Sequence, residues 1–272
     1  MSRMLLAPGR YIQGAGAINE IGSHAVKFGQ KALLTGGKTA MAQCGGPIAD
    51  SLVKEGVGCV SEGFRGECSN NEIERLVDIA KAGSCDLIIA VGGGKVIDTG
   101  KAVAFEMKVP VIVVPTIAAT DAPCSALSVV YTEDGVFESY LVLPSNPNCV
   151  LVDTAVVAKA PAHFLVSGMG DALATFWEAD TCAKSCKPNA LNGSTPPTLS
   201  AIALARLCYD TLLEHGVSAK LAVECDVVTP AVEAIVEANT LLSGLGFESG
   251  GLAGSHSVHN GLTVLEKSHR SE

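Results

Sequence analysis

Long apolar runs are missing from this 272-residue chain. The most hydrophobic windows, Val109 to Val114 among them, are short and broken by proline, too short to cross a bilayer. No apolar segment follows a basic one at the N-terminus, so neither a secretory signal nor a membrane span is expected. Positive charge is scarce: 19 Lys and Arg stand against 28 Asp and Glu, a net charge of −9, which argues against a nucleic-acid surface. The ten cysteines contain no Cys-x-x-Cys pair, and several lie inside apolar runs. This excludes a zinc knuckle and a disulfide frame, and it implies reduced, mostly buried thiols in a cytoplasmic protein. Internal repeats and low-complexity tracts are also absent. Asn192-Gly193-Ser194 spells a glycosylation sequon but in such a chain reads as a polar loop.

What is present is globular: 48% of residues are hydrophobic and 17% charged, enough for one large core or two smaller ones. The chain has two halves. From Lys31 to about Asp153, β-branched apolar runs alternate with helical periods at Ala32 to Thr35, Gly58 to Ser61, Asp86 to Val91, Val111 to Val114 and Val150 to Val152. This is the βαβ pattern of a mostly parallel, buried sheet. Glu133-Asp134-Gly135, between Val129-Val130-Tyr131 and Phe137 to Leu143, predicts a hairpin added to that sheet. After Pro161 the strand signals stop. Amphipathic helices are expected at Phe164 to Ala183, Leu199 to Glu214 and Ala231 to Leu245. The expected division is therefore a domain at 1–160 and a helical one at 161–272.

One motif stands out. Gly92-Gly93-Gly94-Lys95 lies between an apolar strand and the helix-like Val96 to Ala104. Consecutive glycines let the backbone approach a pyrophosphate, and the first helical turn then offers free N–H groups and the positive end of its dipole. The spacing matches neither common glycine fingerprint, and the same residues would also serve a tight strand-to-helix turn. Val114 to Ser125 follows a buried strand and is rich in hydroxyls, as suits a cofactor-wrapping loop or an ordinary one. Ser167 to Leu173 places Asp171 near the start of an apolar helix, where an acid can also simply favour the helix N-terminus. Glu248 to Gly261 carries His256 and His259 three residues apart, on one helix face.

In order and wording, these segments resemble the glycerol dehydrogenases of the iron/zinc-containing polyol and alcohol dehydrogenase superfamily. The likeness runs from Ala7 to Gly14 through Gly63 to Ser69, Gly92 to Lys95, Pro115 to Ala118, Thr120 to Ser128, Gly168 to Thr175 and Phe247 to Ala253. It implies an α/β fold, a Rossmann-like N-terminal domain with an all-helical, dehydroquinate synthase-like C-terminal domain. It further implies NAD and Zn2+ as cofactors, oxidation of glycerol or a related vicinal diol, and a homo-oligomer. On the positions that match, Asp171 and His256 would be metal ligands and Asp121 would contact substrate. Gly93, Gly94 and Lys95 would hold the pyrophosphate, while Thr116, Ser125, Leu127 and Tyr131 would line the rest of the dinucleotide.

The chain departs from the family in three places. Thr35-Gly36-Gly37-Lys38 lacks the acid that usually meets the adenosine ribose and favours NAD over NADP. Ala119 stands where serine is common. The third metal-ligand histidine belongs to a His-Gly-Glu-Lys segment, where this chain runs Leu265 to Glu272; His269, His259 or a neighbouring subunit would have to substitute. An incomplete helical domain and an impaired metal site are therefore expected. Two other readings stay open. Dehydroquinate synthases and glycerol-1-phosphate dehydrogenases are similar but act on anions, which calls for basic residues that the segments around Asp121, Asp171 and His256 do not supply. A non-enzymatic, dinucleotide-binding member of the family is the other.

Overall fold

The computed structural model describes residues 2–194 and 196–262. Six parallel strands form one sheet: β1 (Tyr11–Gly14), β2 (Lys31–Gly36), β3 (Gly58–Gly63), β4 (Leu87–Gly92), β5 (Val111–Pro115) and β8 (Cys149–Asp153), in the spatial order β1-β8-β5-β4-β2-β3. β2, β4, β5 and β8 are buried on both faces, which explains why their sequences are apolar without alternation. Helices cover the two faces: α1 (Ile21–Ala25), α2 (Lys38–Ala40) and α3 (Gly46–Lys54) on one side, α4 (Asn70–Ala82) and α5 (Gly94–Met107) on the other. α4 starts where Ser69 accepts a hydrogen bond from the Glu72 N–H, a side-chain N-cap.

From β2 the chain runs outward to β3 and then returns to the opposite side as β4. The order thus reverses between β2 and β4, and a crevice opens at their carboxyl ends. Gly36-Gly37 and Gly92-Gly93-Gly94 lie at its rim.

The hairpin forms, but not as an extension of the main sheet. β6 (Leu127–Tyr131) and β7 (Phe137–Val142) pair only with each other. The reason is visible at α5, where Ser128 Oγ donates to the Asp98 carbonyl at 3.0 Å and the Val129 N–H to Asp98 Oδ2 at 3.0 Å. A helix therefore holds the hairpin.

After α6 (Thr154–Ala158), the described chain is helical: α7 (Ala162–Ser185), α8 (Leu199–Val223), α9 (Pro230–Glu237), α10 (Ser243–Gly250) and α11 (Gly254–Leu262). α8 runs nine residues beyond the expected Glu214. Its Gly216 makes room for the Met169 sulfur of α7, 3.4 Å from where a Cβ would stand. The stretch expected to end at Leu245 continues to Gly250 through a π-type turn at Ala238–Leu242. Such a turn marks many functional sites. Here it presents the buried Asn239 to the carbonyls of Ala118 at 2.9 Å and Leu165 at 3.0 Å, tying the loop after β5 to α7. Among the described residues no helix is long and apolar enough to cross a membrane, and all ten cysteines are free.

Candidate active site

Three of the predicted residues come together from distant segments. Asp121 lies in the loop after β5, Asp171 in the third turn of α7 and His256 near the start of α11. Asp171 therefore does not sit at a helix N-terminus, and the dipole account of that carboxylate falls away. α7 reaches the loop because Gly168 has no side chain: a Cβ there would stand 2.0 Å from the Ala118 carbonyl oxygen.

Asp171 Oδ1 and His256 Nε2 lie 3.4 Å apart. Two donors on one tetrahedral zinc, at about 2.0–2.1 Å each, stand about 3.3 Å from one another. The other imidazole nitrogen, Nδ1, lies 2.5 Å from Glu178 Oε2, while Glu178 Oε1 accepts the N–H groups of Ala253 at 2.9 Å and His256 at 3.1 Å. That arrangement fixes the ring and leaves Nε2 turned to Asp171, as a second-shell carboxylate does for a metal-bound histidine. Glu178 was missed at the sequence level, though it falls seven residues after Asp171 on the same helix face.

Asp121 is buried, and its Oδ2 accepts from Ser243 Oγ at 2.7 Å, with Thr175 Oγ1 2.9 Å further on. Burial first and the Asp171 charge second raise its carboxyl well above the ordinary range. The Asp171 and Glu178 carboxylates push His256 up to about 10 against the effect of burial. The pocket thus gathers carboxylates around one imidazole and favours positive charge, and a divalent cation fits this donor set. Among the described residues, no group of three or more His, Cys, Asp or Glu forms a fuller metal cluster. His269 lies outside the described residues, as does the side chain of His259.

At the crevice, Gly93 precedes the first residue of α5, and no side chain caps that helix. A Cβ on Gly94 would make one ordinary contact, with Thr120 Cγ2 at 3.7 Å. A helix start built of glycines with no side-chain cap leaves its N–H groups for a phosphate, so a dinucleotide fits here as well. Lys95 is exposed, with Nζ 2.5 Å from Glu67 Oε1 and 5.8 Å from the centre of the Tyr131 ring. The Thr116 N–H donates to the Gly92 carbonyl at 3.1 Å. Ser125 is buried, and Leu127 opens β6. All seven predicted cofactor positions therefore lie on the loops after β4 and β5, the first turn of α5 and the adjoining strand β6.

Two more buried groups of this region escaped sequence reasoning. Glu248 of α10 accepts the Ala126 N–H at 2.7 Å and the Asn146 amide at 2.5 Å. Lys101 of α5 points at the loop from the other side. An Asp-x-x-Lys pair inside an otherwise apolar helix was the available signal.

The chain matches the iron-containing alcohol dehydrogenase family over residues 8–154. It is 56% identical over 264 residues to a glycerol dehydrogenase of Thermotoga maritima, which covers 97% of this chain and 71% of that protein. It is 51% identical over 269 residues to a glycerol dehydrogenase of Escherichia coli O6:H1, covering 99% of this chain and 73% of the relative. Among solved structures, a probable glycerol dehydrogenase from Sinorhizobium meliloti superposes with a TM-score of 0.91 at 45% identity, covering 98% of this chain and 73% of that one.

Proposed function

We propose, for a chain that belongs to the iron-containing alcohol dehydrogenase family and is an oxidoreductase, the NAD-linked, zinc-dependent oxidation of glycerol or a related vicinal diol, glycerol giving dihydroxyacetone. The observation that carries this reading is the 3.4 Å approach of Asp171 Oδ1 to His256 Nε2, with Glu178 on the far side of the ring and Asp121 in the same pocket. Asp171 and His256 would hold the ion. Bound there, the ion would supply Lewis-acid polarisation of the substrate hydroxyl, and a nicotinamide would supply the redox chemistry.

The chain's own residues position the reactants. Glu178 keeps the His256 ring oriented, so Nε2 is the nitrogen left for the ion. Ser243 locks Asp121 Oδ2, which turns that carboxyl into a fixed partner for a diol hydroxyl. Gly93, Gly94 and Lys95 receive the pyrophosphate at the start of α5. Thr116, Ser125, Leu127 and Tyr131 line the dinucleotide between that point and the metal pocket. We divide the molecule at 160/161 into the cofactor part and the helical metal part, acting in the cytoplasm. Leu207, Leu213, Val217 and Leu221, exposed along α8, support a homo-oligomer.

A second reading is a catalytically inactive dinucleotide-binding member of the same family. It is favoured by the absence, among the described residues, of any group of three or more metal-ligating side chains. One experiment separates the two. The purified chain is stripped with a chelator, reloaded with zinc and assayed for glycerol-dependent NADH formation and for NADH binding. Turnover that follows the zinc supports the dehydrogenase. NADH binding with no turnover at saturating zinc supports the inactive member and overturns the first reading.

A further inference from the structure

Among the described residues, Lys101 heads the fully buried side chains by size, with none of its side chain exposed. An ammonium group has three donors and no acceptor, and taking it out of water is unfavourable unless every donor is met. Here Nζ donates to the carbonyl of Ala122 at 3.0 Å and to that of Leu127, and lies 3.4 Å from the carbonyl of Ser125. Asp98 Oδ1 supplies the countercharge at 2.9 Å. Asp98 also takes the Val129 N–H on its other carboxylate oxygen and the Ser128 hydroxyl on its backbone carbonyl.

Three carbonyls and a carboxylate around one positive centre make the ligand set of a monovalent cation, filled here by a side chain. Every carbonyl belongs to one segment, Ala122 to Leu127, which directly follows Asp121 and contains Ser125 and Leu127. Apolar residues of similar size commonly replace a buried ion pair at no loss of stability. A buried ammonium met by the carbonyls of a single segment thus points away from packing and toward the shape of that segment. We propose that Lys101 is a tethered cation that folds the 122–127 loop around itself. It is a positioning residue for the contacts this loop makes to dinucleotide and substrate. The cofactor side of this inference rests on the reading above that Ser125 and Leu127 line the dinucleotide.

The test uses two variants of the full chain and two readouts: amide hydrogen exchange without cofactor, and NADH affinity by fluorescence. Lys101→Ala empties the cation position. Exchange across 122–129 should rise, and NADH affinity should fall by about tenfold or more. Ammonium chloride, but not the bulkier tetramethylammonium, should restore both. The double variant Lys101→Met, Asp98→Asn removes both charges with little change in volume and leaves no buried ion unpaired. It should unfold cooperatively near the native midpoint and still bind NADH weakly, a result that a merely structural lysine would not produce.

Unchanged exchange at 122–129 in Lys101→Ala, failure of ammonium to restore it, or native NADH affinity in the folded double variant would each overturn the proposal. Should Lys101→Ala fail to fold, the double variant decides. Should the native chain bind no NADH, the cofactor reading fails and the exchange readout still decides the tethered cation.

Discussion

The proposed phosphate end of the cleft comes from one unbroken stretch, Leu87 to Met107, whereas the proposed metal end draws on the loop after β5 and on α7, α10 and α11. The first end is backbone: glycine N–H groups at a helix start, where in the proposed reading the missing side chains admit the phosphate. The second is side chain: carboxylates, an imidazole and hydroxyls held in a chain from Thr175 through Ser243 to Asp121. Removing an atom should hurt the metal end and adding one should hurt the phosphate end. That difference predicts which substitutions each half tolerates.

The largest effect is expected where a donor is removed. His256→Ala or Asp171→Asn should cut zinc-dependent glycerol oxidation by about a thousandfold or more, since the electrophilic contribution of a bound ion is worth several kcal/mol. NADH affinity, measured in the same preparations by fluorescence titration, should stay at its native value. Loss of NADH binding in both variants would show that the two ends are not separable. Adding an atom gives the mirror case. Gly94→Val places a branched side chain on the first residue of α5, where its Cβ meets only Thr120 Cγ2 at 3.7 Å, so calorimetry should detect no NADH binding, while zinc content and melting midpoint stay close to native. Undiminished NADH binding in that variant would remove the phosphate-loop assignment.

One position should injure both ends together. A Cβ on Gly168 would stand 2.0 Å from the Ala118 carbonyl and 2.5 Å from Asn239 Nδ2, so Gly168→Ala must push α7 away from the loop between β5 and Asp121. The expected cost is about 1–3 kcal/mol, typical of overpacking. A lower melting midpoint should accompany weaker zinc and NADH binding. A variant with native stability would mean that α7 and the loop yield more easily than their contacts indicate.

The same contrast explains what could be read in advance. Strand, glycine loop and helix are contiguous, so β4, the turn and α5 were legible from Leu87 to Ala104, as was the helical character after Pro161. Asp121, Asp171 and His256 were legible by resemblance, and the structure brings them into one pocket. Glu178 and Lys101 were not. Glu178 has its partner 78 positions away and Lys101 has carbonyl partners up to 26 away; the Asp98-x-x-Lys101 spacing alone hinted at a pair but not at the loop it holds. The hairpin was legible as a hairpin, but its attachment to Asp98 rather than to a strand edge depends on that same unreadable network. The π-type turn at Ala238–Leu242 has no signature in the sequence and is recognisable only through what Asn239 holds.

The smallest expected effect concerns Gly37, beside the phosphate loop at the carboxyl end of β2. Its backbone is extended with φ −65° and ψ 155°, and a Cβ there would meet nothing within 4 Å, so an aspartate is accommodated without strain. A carboxylate at this point of a βαβ crevice accepts from the adenosine ribose hydroxyls and repels a 2′-phosphate. Gly37→Asp should therefore tighten NAD by a few-fold and weaken NADP by about tenfold, the latter about 1.4 kcal/mol of NADP affinity. Gly37 is also the N-cap of α2, and no side chain caps that short helix. An aspartate there also adds stability with no cofactor present, by about a few tenths of a kcal/mol relative to the glycine cap. The two contributions separate cleanly, because a cap moves the melting midpoint of the free protein and leaves the NAD to NADP ratio alone. Titration of native and Gly37→Asp protein with both dinucleotides decides the point. A raised midpoint with an unchanged ratio would assign Gly37 to the helix start and take the ribose away from the end of β2.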